Sequence, residues 1–214
     1  MKSIPAQDLT NDSGNIHEIA RLLKKGGLVC FPSGGSYRLG ADLTSSKAVS
    51  RLLQSKRRIG KAPSLAFISS YDMLKQVAAG IPEKGARLVK NFWPGELTLL
   101  VEPSPNLPAK VVKQLTMANG RLGVRVPCDK IARSIVEKLG RPLLVSSANV
   151  ASKKGSESAA QVIKNFMGKI DIFVNAGDLK KTGSSTVVRL KKDSFEITRP
   201  GMIEKDELEQ AWGD

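Results

Sequence analysis

Histidine, cysteine and acidic residues are all scarce in this chain of 214 residues. His17 is the only histidine. It lies in a polar N-terminal stretch with no nucleophile signature beside it, so a catalytic triad built on histidine is not expected. Cys30 and Cys128 are far apart and have no Cys-x-x-Cys spacing. That argues against a structural zinc site and predicts two reduced thiols in or near the core. No stretch reaches the roughly 18 apolar residues that a membrane span needs. The opening "MKSIPAQDLTNDSGNIHEIA" also lacks the apolar centre of a secretory signal. A cytoplasmic protein with no membrane partner is therefore expected. The familiar phosphate loops are missing as well: no Gly-x-x-x-x-Gly-Lys-Ser/Thr occurs, and the glycines of "GGSYRLG" are not spaced Gly-x-Gly-x-x-Gly. Without a Cys/His cluster or an acidic pair, no protein-held metal is expected. Any Mg²⁺ would be carried mainly by phosphates and water.

The shortage of acids is the informative one. Lys and Arg number 34 against 20 Asp and Glu, a net charge of +14. Such a surplus favours phosphate-rich partners through a general field, nucleic acid first and nucleotides next. A surface kept soluble by lysine is the plainer alternative. With 41% hydrophobic residues the chain is expected to form one domain over 1–214.

Periodicity supplies the elements. "NIHEIARLLKKGG" places Ile16, Ile19, Leu22 and Leu23 on one helical face, and Gly26-Gly27 ends it. "LVCFP" reads as a buried strand stopped by Pro32, "SGGSYRLGADL" as a Gly-rich loop. "SSKAVSRLLQSKRR" reads as a helix with Lys56, Arg57 and Arg58 in its last turn, where the helix dipole favours cations. Strands are expected in "PSLAFIS", "WPGELTLLVEPS", "LGVRVP", "RPLLVSSAN", "IDIFVNAG", "SSTVVRL" and "SFEITRPG". Helices are expected in "SYDMLKQVA", "PEKGARLVKNF", "KIARSIVEKLG", "SAAQVIKNFMG" and "EKDELEQAW". Strand–helix alternation fails around 172–199, which argues against a doubly wound dinucleotide fold. An α+β arrangement is predicted, one large mixed sheet with helices packed on it.

Polar residues gather at the predicted strand ends: Ser33 after "CFP", Ser146, Ser147 and Asn149 after "PLLV", Ser184, Ser185 and Thr186 before "VV", and Arg199 after "FEIT". Each alone is an ordinary turn residue. Together with Lys56 and Arg58 they would supply hydroxyl and amide donors and two cations, suited to a polyphosphate or a carboxylate in a crevice.

In order and spacing these stretches are similar to those of the YrdC-like family, the threonylcarbamoyl-AMP synthases. The segments are "PSGGSYRLG", Lys56-Arg57-Arg58, "WPGELT", "GVRVP", Ser147-Ala148-Asn149, "STVV" and "RPG", and the resemblance covers about 15–204, with a short C-terminal helix beyond. It implies a large twisted sheet with a basic concave face. It also implies an enzyme that makes threonylcarbamoyl-adenylate and pyrophosphate from L-threonine, bicarbonate and ATP with Mg²⁺. Separate transferases then pass the group to the tRNA adenosine beside the anticodon. By motif, Lys56 and Arg58 would be the catalytic cations. Arg58, Ser147, Asn149, Ser185 and Arg199 would hold ATP, and Ser33, Tyr37 and Lys56 would hold threonine.

The chain also departs from the family pattern. Ser33-Gly34-Gly35 stands where a Thr-Asp/Glu-Thr is usual, Arg38 where the family has glycine, and Arg121 where it has a hydroxyl. "PCDK" replaces Pro-x-His-Pro, "VAS" replaces Leu-Ser-Gly, and Arg189 replaces a common Asp. The nucleotide half is thus better kept than the threonine half, and altered amino-acid selectivity or low activity is expected. The alternative is a diverged paralogue without synthase activity, binding RNA (double-stranded or tRNA) or nucleotide through its basic face.

Overall fold

The computed structural model describes residues 1–11, 13–56, 64–115, 120–149 and 156–213. The strands are β1 (Lys2–Pro5), β2 (Val29–Ser33), β3 (Ser36–Asp42), β4 (Leu65–Phe67), β5 (Leu97–Val101), β6 (Leu122–Arg125), β7 (Leu143–Ser147), β8 (Ile172–Asn175), β9 (Thr186–Leu190) and β10 (Phe195–Arg199). The helices are α1 (Ala6–Asn11), α2 (Ser13–Lys24), α3 (Ser46–Ser55), α4 (Tyr71–Val77), α5 (Glu83–Phe92), α6 (Ala109–Leu115), α7 (Lys130–Leu139), α8 (Ala159–Phe166) and α9 (Lys205–Gly213). All ten strands join one sheet in the order β1-β8-β2-β3-β7-β4-β6-β5-β9-β10. The sheet is mixed: β1 and β2 run parallel to β8, while β7 runs antiparallel to both its neighbours. This is the α+β architecture expected, and β8, β9 and β10 follow one another without an intervening helix.

Apolar patterning explains the layers. β5 is buried along its whole length, Leu97 to Val101, as a run that is apolar except for Thr98 implies. Helix α2 turns Ile16, Ile19 and Leu23 inward and packs on α7, which buries Ala132, Ile135, Val136 and Leu139. Gly140 ends α7 in the left-handed region at φ 68° and caps Val136 and Glu137. Arg51 of α3 donates to both carboxylate oxygens of Asp171, at 2.7 and 2.8 Å, and the same carboxylate accepts from Leu28 N–H at 2.7 Å. This clamp joins α3 to the strands on the far side of β3. Burial would raise the Asp171 pKa, but the bonds from Arg51 and Leu28 outweigh it and hold the group below its ordinary value.

Three expectations change. "SGGSYRLGADL" is not a loop: Ser36–Asp42 forms β3, paired with β2 from Val29↔Gly40 to Ser33↔Ser36 around a two-residue tip at Gly34 and Gly35. Both tip residues have positive φ, 59° and 66°, which is why two glycines occupy the turn. Pro32 does not stop β2, because β8 pairs only with Val29 and Cys30 and so leaves Pro32 with a neighbour on one side. Strand β1 and helices α1 and α6 were not expected; each is too short for periodicity to register. Cys30 is buried as predicted, whereas Cys128 is exposed, since it lies beyond the end of β6.

Candidate active site

Helix α3 ends at Ser55, one residue before Lys56, which caps the helix. The side chain is not a solvated helix-end cation: Lys56 is only 6% exposed. Its ammonium donates to Ser146 Oγ at 2.9 Å, the Ser147 carbonyl at 2.6 Å, Ser147 Oγ at 3.5 Å and Asn149 Oδ1 at 3.2 Å. Ser147 Oγ donates in turn to Asn149 Oδ1 at 2.7 Å. A buried ammonium is tolerated only where polar atoms replace its water, and the end of β7 supplies them. Arg57 and Arg58 lie outside the described residues, as does the "VAS" segment.

Across the strand pair, Arg38 on β3 stands opposite Ser147 on β7, so the two side chains share a face. Arg38 also borders the hairpin tip. There Ser33, 2% exposed, donates its hydroxyl to Asp129 Oδ2 at 2.7 Å, and Gly34 N–H donates to Asp129 Oδ1 at 3.2 Å. Asp129 occupies the cap position of α7 without capping it, because its carboxylate serves the hairpin instead. Arg125 of β6 reaches the same place. By sheet order β6 lies three strands from β3, about 14 Å at ordinary spacing. Yet a β-carbon on residue 34 would stand 3.8 Å from Arg38 Nη2 and 3.9 Å from Arg125 Nη2. The tip and the end of β6 therefore lie within the reach of one arginine side chain. Arg125 is 2% exposed, pairs with Glu96 through Nη1 and lies over the Phe67 ring. Burial, and next the Arg125 charge, pull Arg38 down to about 10, against the opposing pull of Glu96 and Asp129.

The third wall comes from β5, β9 and the end of β10. Ser185 Oγ and Thr98 Oγ1 are hydrogen-bonded at 2.9 Å, and Arg199 Nη2 donates to the Ser185 carbonyl at 2.9 Å and to its hydroxyl at 3.0 Å. Burial and the nearby Arg125 lower the Arg199 pKa. The glycine of "RPG" has a physical reason: a β-carbon on Gly201 would collide with backbone atoms of Ser184, Ser185 and Thr186. Met202 N–H then bonds the Ser184 carbonyl at 3.0 Å, and Thr186 Oγ1 donates to the Ile203 carbonyl at 2.9 Å.

The fold thus brings Lys56, Ser147 and Asn149 into one network and Ser185 and Arg199 into another, with Ser33 at the hairpin tip. Tyr37 faces elsewhere. It is fully buried against Phe173, donating to the Gly177 carbonyl at 2.7 Å and accepting from Ala176 N–H at 2.9 Å. Four crevice groups were not singled out from the sequence: Glu96, Thr98, Arg125 and Asp129. Arg125 was detectable as a charge inside an otherwise apolar strand. The others carry no local signal. Two departures from the family pattern are peripheral. Arg121 pairs with Glu102 at 3.3 Å, and Arg189 faces Glu196 across β9 and β10. Cys128, near Glu96, has its thiol pKa raised by partial desolvation first and then by Asp129 and Glu96.

Residues 21–201 match the Sua5/YciO/YrdC family model, described as telomere recombination. The chain belongs to the Sua5/YciO/YrdC family. Among similar members, a threonylcarbamoyl-AMP synthase of Pyrococcus abyssi is 33% identical over 195 residues, 91% of this chain and 56% of the relative. One from Bacillus subtilis is 29% identical over 206 residues, 96% of this chain and 59% of the relative. The structure of P. abyssi Sua5 complexed with L-threonine has a TM-score of 0.83 at 32% identity, covering 94% of this chain and 58% of that one. Escherichia coli YciO shares the fold, with a TM-score of 0.78 at 22% identity, covering 92% of this chain and 94% of that one. The chain spans somewhat more than half the length of the two synthases it matches.

Proposed function

We propose that the chain forms a carbamoyl-adenylate: an amino acid and bicarbonate condense to a carbamate, and a carbamate oxygen attacks the α-phosphorus of ATP, expelling pyrophosphate. Water leaves in the first step and the P–O bond to pyrophosphate breaks in the second. L-threonine is the amino acid of the named relatives, which makes threonylcarbamoyl-adenylate the first product to seek. The observation that carries the reading is the Lys56 ammonium, 6% exposed and held by Ser146, Ser147 and Asn149 at the end of β7, where Ser147 pairs with Arg38, whose charge is felt by Arg125 and Arg199.

Negative charge grows on the phosphoryl oxygens and on the leaving pyrophosphate. Fixed cations and donors that need no reorganisation stabilise it. Lys56, with Arg58, would serve the substrate carboxylate and the phosphates. Ser147, Asn149, Ser185 and Arg199 would line the nucleotide, and Mg²⁺ would enter on the triphosphate and water. Ser33 would act with Asp129 on the amino-acid side, and Tyr37 through the turn it secures. The adenylate would be passed by separate transferases to tRNA adenosine beside the anticodon. Among the described residues no helix is long and apolar enough to cross a membrane.

The test gives the full chain ATP, Mg²⁺, bicarbonate and L-threonine and follows pyrophosphate release and product mass. An adenylate that requires both bicarbonate and an amino acid supports the reading. ATP binding without product from any amino acid overturns it and favours a nucleotide- or RNA-binding paralogue, whose RNA affinity would fall steeply with salt as the charge of +14 implies.

A further inference from the structure

The space over Gly34 is bordered by two guanidinium groups and, among the described residues, filled by no side chain. Arg38 Nη2 and Arg125 Nη2 face it from 3.8 and 3.9 Å. Arg125 is buried, and its Nε and Nη2 have no hydrogen-bond partner among the described residues; the same holds for Arg38 Nε. Leaving such donors unmade in a low-dielectric setting is costly. The acids nearby do not relieve them. Glu96 is engaged by Arg125 Nη1 and Cys128, and Asp129 by Ser33 and the Gly34 N–H. Around this point stand the cations Arg38, Arg125 and Arg199 against the anions Glu96 and Asp129. One oxyanion between the two Nη2 groups would satisfy Arg125 Nη2 and engage Arg38, and guanidinium donors suit a carboxylate or phosphate.

We propose that this space is an anion subsite for the side chain of the amino-acid substrate, so that the chain selects an acidic amino acid, bearing a carboxylate or a phosphate, over threonine. The proposal rests on the adenylate-forming reading, and Arg38 is its specificity-determining residue. The Arg38↔Ser147 pairing sets the subsite beside the Lys56 network, where the α-carboxylate and the reacting carbamate would lie.

The experiment measures kcat/KM for pyrophosphate release by the full chain with L-threonine, L-aspartate, L-glutamate and O-phospho-L-serine, each with ATP, Mg²⁺ and bicarbonate. At least one acidic substrate is expected to exceed threonine by about ten- to hundredfold, as one or two charge-assisted hydrogen bonds imply. The carboxylates and the phosphoserine distinguish the two sources of the oxyanion. Arg38→Gly should remove the preference. So should Gly34→Asp, which supplies an internal carboxylate at a φ that aspartate tolerates. Threonine used as well as or better than every acidic substrate by the unaltered chain overturns the proposal. A second readout, malonate binding followed by calorimetry, does not depend on turnover. Binding lost in both variants supports the subsite even if no amino acid is turned over, in which case the adenylate reading alone fails. Malonate binding that both variants retain overturns the subsite.

Discussion

The two ends of the crevice are built on opposite terms. At the β7 end a buried ammonium is surrounded by hydroxyl, carbonyl and amide oxygens, and Ser147 and Asn149 also bond each other. At the hairpin end, buried guanidinium groups approach one another and keep donors unmade. The first arrangement is complete before any ligand arrives, so it orients. The second is relieved only when an anion enters, so it selects. Polar groups that carry unmet hydrogen bonds in a folded protein point to function more sharply than those already satisfied.

The largest effect should come from removing the orienting charge. Lys56→Met is expected to lower kcat/KM for pyrophosphate release by about a hundred- to a thousandfold, as loss of one preorganised electrostatic group does. A loss below about fivefold in steady-state rates would place the satisfied network outside the chemistry. Next is Gly201→Ala. Its methyl group meets the backbone of Ser184–Thr186, so a loss of about 2–3 kcal/mol in urea-unfolding stability is expected. Gly120→Ala, at positive φ with open space around it, should cost only about 1 kcal/mol. Asp129→Ala sharpens the contrast between the two ends. Without the bonds to Ser33 and Gly34 N–H, the amino-acid KM should rise about tenfold while the ATP KM stays within about twofold. A rise in both would mean that the two ends act as one.

Thr98→Val deletes one of the two partners of Ser185 Oγ and should cost about 1 kcal/mol of stability, with a modest rise in the ATP KM alone. The smallest effect lies away from both ends. Asp171 has its pKa held below the ordinary carboxylate value, so its contribution is present above that value and is lost as pH falls through the lowered one. Asp171→Asn is expected to weaken the protein at neutral pH and to flatten the acid limb of stability against pH. Urea midpoints for both proteins across the acid range test this, and parallel curves would count against it.

Much of the crevice could be read from one dimension because its parts are tied to turns. Ser147, Asn149, Ser185 and Arg199 each follow or precede an apolar run, and a strand end is visible wherever alternation or an apolar block stops. The sign of the charge, the helix ends at Gly26-Gly27 and Gly140, and the mixed sheet implied by the helix-free run from 172 to 199 are legible in the same way. It could not show that Lys56 is buried. A cation in a helix's last turn looks the same whether water or β7 solvates it, and only packing decides. Nor could it show that "SGGSYRLGADL" closes a hairpin, since the two glycines that signal a loop are also what a tight tip with positive φ requires. The convergence of Arg38, Arg125, Glu96 and Asp129 belongs wholly to the tertiary structure. These residues come from two strands, the turn before β5 and a helix start, and they meet around the hairpin tip. Local propensity sets where strands begin and end, but long-range pairing and sheet curvature decide which ends face each other.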